Sequence, residues 1–204
     1  MVTVHLLRHG QTAWNIERRF LGRTDVDLDT VGEAQVAGLR AVFPQVGAVY
    51  SSPLRRAWRT AQAVGAPIAT AGLVEMDMGV LEGLSGADAL AQHADLLVAF
   101  RADPSAVVIP AGETMGQVAE RMLGTWNAIV AGRAGSDAPI AIVSHQMAMS
   151  ALLCRLTGSP LSDYKHFTQR NTAWTTLAVD PSAASGPAGV RVVAQDQAPH
   201  LPTG

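Results

Sequence analysis

Val2-Thr3-Val4-His5-Leu6-Leu7-Arg8-His9-Gly10 decides the fold. A short apolar, β-branched run from Val2 to Leu7 reads as a buried strand, and the abrupt change to Arg8-His9-Gly10 reads as the loop at its carboxyl end. Beyond the loop, Thr30-Val31-Gly32-Glu33 has capping-box spacing, with Val31, Ala34, Leu39 and Val42 on one helical face and Pro44 as the stop. Val46 to Ser51 is a second strand, and Pro53 suits the opening turn of a helix over Leu54 to Val64 that ends at Gly65 and Pro67. Pro67 to Ala71 is a short third strand. Thr114 caps a long helix in which Met115, Val118, Ala119, Met122, Leu123, Trp126, Ile129 and Val130 form one apolar stripe, closed by Gly132. Ile140 to Ser144 is a further buried strand, His145 to Leu156 the helix after it, and Ala173 to Val179 and Val190 to Ala194 are the last strands. The alternation predicts an α/β fold: a three-layer α/β/α sandwich with a mostly parallel central sheet, an antiparallel edge strand and right-handed crossovers.

Residues 79 to 112 differ in character. Gly79, Gly83, Gly86, Pro104, Pro110 and Gly112 bracket an Ala/Leu-rich middle, so one helix over Ala87 to Phe100 is expected, as a lid inserted into a single domain spanning 1–204. Ala198 to Gly204 reads as a tail.

Composition narrows the function. The 204 residues are 48% hydrophobic and 16% charged, enough to bury a core without staples. A net charge of -2 and a pI near 6.3 give no electrostatic footprint for nucleic acid or anionic lipid. The single Cys154 cannot form an internal bridge, and neither a secretory leader nor an 18-residue apolar run is present, so a reducing, cytoplasmic setting is expected. With 14 Arg to one Lys, Lys165, the basic residues are biased in kind, and position has to decide which of them matter.

In open α/β sheets ligands bind beyond the carboxyl ends of the strands. Arg8-His9, Ser51 to Arg56 and Ser144-His145 all fall there. Two histidines and two arginines with no cysteine and no close carboxylate cluster fit an anion better than a metal, and the obvious anion is a phosphoryl group. Guanidinium groups and helix N-termini stabilise the charge on its equatorial oxygens, and a neutral imidazole can attack phosphorus to form a phosphohistidine. The departing oxygen then needs a proton from a carboxylic acid, with Glu75 and Glu82 as candidates. Arg55 and Arg59 read as a solvated helix face, His5 as a core histidine, and His93, His166 and His200 as surface residues.

Arg8-His9-Gly10-Gln11-Thr12-Ala13-Trp14-Asn15 resembles the signature of the histidine phosphatase superfamily, the phosphoglycerate mutase-like group. The resemblance runs through Arg19-Phe20-Leu21-Gly22, Ser51-Ser52-Pro53-Leu54-Arg55-Arg56-Ala57 with Thr60, Glu75 to Gly83, Pro110 to Glu113, Val143-Ser144-His145 and Asn171. It covers residues 2 to about 179. It implies His9 as the phosphorylated nucleophile, Arg8, Arg56 and His145 as holders of the phosphoryl oxygens, Asn15 as a further phosphate contact, and Glu75 ahead of Glu82 as proton donor. By motif position Leu21, Gly22 and Gln146 join the substrate-binding set. Gln146-Met147 stand where a small pair often follows the second histidine, Leu21 where a polar side chain often binds phosphate, Pro53 for a common Asp and Arg59 for a common Gln.

The expected function is therefore a phosphomonoesterase acting on a small phosphorylated metabolite, with neither metal nor cofactor and with no nucleic-acid or membrane partner. A bisphosphate-primed phosphoglycerate mutase is the nearest rival; it would need cations in the lid, where Arg101 alone faces Asp88, Asp95 and Asp103. A catalytically silent phosphate-binding module is the third reading. Oligomeric state is not legible.

Overall fold

The computed structural model describes residues 1–133 and 135–202, so Thr203 and Gly204 of the expected tail lie outside the described residues. Six strands form one sheet in the order β3-β2-β4-β1-β5-β6, where β1 is Val2–Arg8, β2 Ala48–Ser51, β3 Pro67–Ala69, β4 Ile140–Ser144, β5 Trp174–Val179 and β6 Val190–Gln197. Strands β3, β2, β4 and β1 run parallel. The antiparallel strand expected at the edge is β5, one place in: it runs against both β1 and β6, and β6 is the edge.

Alternation along the central strands feeds two cores. Val2, Val4, Leu6, Ile140 and Ile142 face one layer, and Leu7, Ala141 and Val143 face the other. The first layer holds α6 (Met115–Ala131) and α7 (Gln146–Thr157); the second holds α2 (Thr30–Val42) and α3 (Arg55–Gln62). The short α1 (Ala13–Ile16) follows the loop after β1. Helix α6 has the cap and stripe expected of it, with Thr114 and Gln117 closing a capping box and Trp126 fully buried. Helix α2 departs from expectation. Its cap is Asp29, which accepts the Gly32 N–H at 2.7 Å, and its buried face is Gly32, Val36 and Leu39, while Val31 and Val42 are exposed. Gly32 lies so close to the Gln11 backbone that a Cβ would collide with it, and this contact sets the helix's rotation.

Residues 79–112 hold two helices rather than one, α4 (Gly86–Gln92) and α5 (Ala94–Ala102). His93 ends the first and begins the second at φ -141°, ψ 49°, outside helical geometry. Leu97 and Phe100 of α5 are buried in the larger core. The C-terminal segment is docked, not loose: Ala198 is buried, and His200 stacks on Trp174 with 6.3 Å between ring centroids. Among the described residues no helix is long and apolar enough to cross a membrane.

Candidate active site

Pairing registers bring three strand ends together, since Arg8 lies opposite Ser144 and Ser51 opposite Val143. His9 leaves β1 with its backbone N–H on Ser144 O at 3.2 Å, and its Nδ1 lies 2.7 Å from Gly10 O. A carbonyl can only accept, so Nδ1 carries the hydrogen and Nε2 keeps its lone pair. The loop is braced throughout: Gly10 N–H donates to Thr60 Oγ1 (2.9 Å), Thr172 N–H to Arg8 O (3.1 Å) and Asn171 Nδ2 to His9 O (3.0 Å).

Two arginines adjoin this histidine. Arg8 donates from one terminal nitrogen to Gln169 O (2.7 Å) and Gln146 Oε1 (3.3 Å). Arg56, in the first turn of α3 and fully buried, donates to Thr24 O (2.8 Å) and Gly22 O (2.7 Å). The Nε of each is buried with no partner, a costly condition that an anion would relieve. Desolvation pulls the Arg56 pKa down to about 10, against the raising influence of Glu75. Arg55 and Arg59 instead pair with Asp25, Asp27 and Glu33 at the surface, as expected.

His145 caps α7, with its ring centroid 5.1 Å from that of His9. Its Nε2 lies 2.8 Å from Ser52 Oγ, and its Nδ1 is buried without a partner. Burial and the charges of Arg56 and Arg8 hold both histidines well below the ordinary imidazole range, so both are neutral.

The two carboxylates are in different surroundings. Glu75 is buried against the start of α7, accepting N–H bonds from Met76 (2.8 Å), Met147 (3.1 Å) and Ala148 (2.9 Å). Desolvation nevertheless raises its pKa above the usual carboxylate value. Glu82 is not among the residues that line the cavity beside His9 and gathers the backbone N–H groups of Gly22, Arg23 and Thr24. Its loop supplies the two carbonyls that seat Arg56.

Arg8, His9, Asn15, Glu75 and Gln146 form the polar wall of a cavity of about 210 Å³. Arg19 stands at its rim, and Phe20, Leu21, Met78, Phe100 and Met147 form the apolar wall. Asn15 Oδ1 is occupied by Thr12 N–H (3.1 Å) and Asn171 Nδ2 (3.3 Å). Gly22 serves through its carbonyl beneath Arg56 rather than as a wall of the cavity. Gln146, in place of a small residue, links Arg8 to the Gln169 N–H (3.0 Å) and to Ser150 Oγ (2.9 Å). Sequence reasoning missed Ser52, Gln169 and Phe100. Ser52 was visible only as part of a motif, Gln169 carries no signal, and Phe100 could be read as part of an apolar helix but not as facing a ligand. His166 is exposed, and Arg170 is held by Asp196 at 2.8 Å. His200, expected at the surface, is half-buried and bonded to Thr172 Oγ1 at 2.8 Å.

Comparison with known proteins agrees with this geometry. The protein named "Probable phosphoglycerate mutase GpmB" from Cronobacter sakazakii is 35% identical over 182 residues, covering 84% of this chain and 82% of its own. The mycobacterial glucosyl-3-phosphoglycerate phosphatase Rv2419c, solved with VO3, superposes with a TM-score of 0.85 at 26% identity, over 96% of this chain and 99% of that one. The Entamoeba histolytica phosphoserine phosphatase shares the fold, with a TM-score of 0.84 at 21% identity over 98% of this chain and 100% of its own. Residues 4–185 match the family model described as histidine phosphatase superfamily, branch 1, and with the paired histidines and two arginines gathered at one rim of the sheet, the chain belongs to that family.

Proposed function

We propose that the protein is a metal-independent phosphomonoesterase that works on a small phosphorylated metabolite through a phosphohistidine at His9. The observation that carries this reading is the bare His9 Nε2 beside Arg8 and Arg56, each with a buried and unmatched Nε–H. Nε2 attacks phosphorus as the bond from phosphorus to the alcohol oxygen breaks, while Arg8, Arg56 and His145 hold the other oxygens. The departing oxygen keeps the bonding electrons and takes a proton from the Glu75 carboxyl, whose raised pKa keeps it available. Water then attacks the phosphohistidine, gives its proton to the Glu75 carboxylate and releases phosphate as the P–N bond breaks. Asn15, Leu21, Gly22 and Gln146 complete the binding set, directly or through Arg56 and Arg8. Residues 1–204 act as one domain with 79–112 as its lid, and the site's small volume suits a small ester. A buried Cys154, its thiol pushed up to about 11 by burial, fits a cytoplasmic setting.

The mutase reading is favoured by the names of the curated relatives. The acidic lid and its apolar contribution to the cavity, Phe100, favour hydrolysis, because the lid's Arg101 is not among the residues that line the cavity and a second phosphate would meet an apolar lid surface. The deciding experiment is phosphate release from a panel of phosphomonoesters with chelator present, run beside a phosphoglycerate mutase assay, with an alkaline quench to trap acid-labile phosphate on His9. Hydrolysis in chelator with label on His9 supports the proposal. Isomerisation faster than hydrolysis would replace it with the mutase, and no turnover of either kind would favour a silent module.

A further inference from the structure

The hydrogen at the second histidine has one consistent place. His145 is neutral, so its two ring nitrogens share a single hydrogen. Its Nε2 and Ser52 Oγ, 2.8 Å apart, need one hydrogen between them. Were that hydrogen on Nε2, Ser52 Oγ would receive it in addition to the Leu54 N–H, which reaches it at 3.3 Å. The hydroxyl's own hydrogen would then have no acceptor, because among the described residues Oγ has no other partner, and the Nδ1 lone pair would have no donor, two unmatched groups where the other placement leaves one. With the hydrogen on Oγ instead, Leu54 donates to Ser52, Ser52 donates to Nε2, and the imidazole hydrogen falls on Nδ1. That nitrogen is the one buried without a partner, on a ring beside His9.

We infer that Ser52 is a positioning residue that fixes His145 as the Nδ1–H tautomer, so that the second histidine presents a donor to an incoming phosphoryl oxygen. The alternative tautomer would present a lone pair to an anion and repel it. Ser52 is well fixed for this task. Its backbone N–H is tied to Val143 O at 3.0 Å, its carbonyl accepts from Ser51 Oγ at 2.9 Å, and it is fully buried between β2 and α3. A rigid hydroxyl selects the tautomer before substrate arrives, and a bound phosphoryl oxygen gives the Nδ1–H its acceptor. What Nδ1–H meets rests on the phosphotransfer reading proposed above; where the hydrogen sits does not.

The test has two arms. Long-range 1H–15N correlation spectra of histidine-labelled protein, without ligand and at mildly alkaline pH, should show His145 protonated at Nδ1 and bare at Nε2. Ser52→Ala should move the hydrogen to Nε2 or mix the two forms, and Ser52→Thr should keep the wild-type pattern. In the kinetic arm, Ser52→Ala should lower kcat about 10- to 100-fold, the size of loss seen when the hydrogen-bond partner that orients a metal-bound histidine is removed, with a smaller change in KM. Ser52→Thr should recover most of the loss. Wild-type protein protonated at Nε2 would overturn the inference, as would Ser52→Ala with unchanged tautomer and unchanged kcat. If the wild type shows Nδ1–H yet hydrolyses no phosphomonoester, the functional proposal fails while the tautomer assignment stands.

Discussion

Replacing Glu82 by Gln tests whether this carboxylate builds the site without taking part in the chemistry. Its Oε1 accepts from Gly22 N–H and Thr24 N–H at 3.0 Å each, and Oε2 from Gly22 N–H at 3.1 Å and Arg23 N–H at 3.3 Å. An amide keeps one carbonyl oxygen, so the Oε1 bonds survive without their charge while an NH2 group confronts the Arg23 N–H. A charge-assisted bond contributes about 1.5–3 kcal/mol and a neutral one about 1, and water can serve the exposed Arg23 and Thr24, so the net loss is about 2 kcal/mol. In a domain of this size that lowers Tm by about 4–8 °C. The same loop presents Gly22 O and Thr24 O to Arg56, so kcat/KM should fall alike for alkyl phosphates and p-nitrophenyl phosphate. Glu75→Gln should instead slow alkyl phosphates selectively, because only a poor leaving group needs the proton. Thermal denaturation and steady-state kinetics on both substrates decide. A Glu82→Gln variant with wild-type Tm and a selective loss on alkyl phosphates would refute the reasoning and make Glu82 the acid.

Gly22→Ala should be severely destabilising, since the new Cβ would run into Glu82 Oε2 and lie 2.5 Å from Met76 O, both fixed; a calorimetric Tm near wild type would contradict this packing. Stability should decline as pH falls below 6.5: the unfolded chain then gains protons at His9 and His145 that the folded chain, with both pKa values depressed, does not. The slope should approach about 1.4 kcal/mol per pH unit for each histidine, and His145→Gln should flatten it in urea titrations across that range. His200→Ala removes both the bond to Thr172 and the stack on Trp174, and should cost about 1–2 kcal/mol, read as a shifted urea midpoint.

The elements legible in the sequence were those whose pattern has a single solution. A β-branched run ending in Arg8-His9 can only be a strand meeting a polar rim, and the stripe from Met115 to Val130 with Thr114 ahead of it can only be a capped helix. Helix α2 was misread because rotation depends on a contact distant in sequence, Gly32 against Gln11, which turns Val31 and Val42 outward. The break at His93 depends on one backbone conformation inside an otherwise helical composition. The site divides along the same line. His9, Arg8, Arg56 and His145 lie at strand ends or helix starts, and alternation places those positions on one rim. The partners that orient them, Ser52, Gln169 and the Glu82 loop, come from tertiary proximity, and a lone Ser or Gln carries no sign of it in sequence.

The register of β1 also has a consequence for how the chain acquires its fold. Val4 pairs with Ile140 and Val2 with Val179, so the strand that leads into His9 has neither neighbour until residues 140–179 have been made. During synthesis Val2 to Leu7 emerges as a largely apolar segment without formal charge, and it must wait until Ile140 to Ser144 has been made, the kind of stretch that aggregates when left uncovered. Closing so long a loop is entropically costly, and parallel pairing of this order folds slowly. The centre of the sheet thus cannot close before β4 has been made, and a ribosome stalled before that point would carry an exposed β1, a natural substrate for a chaperone.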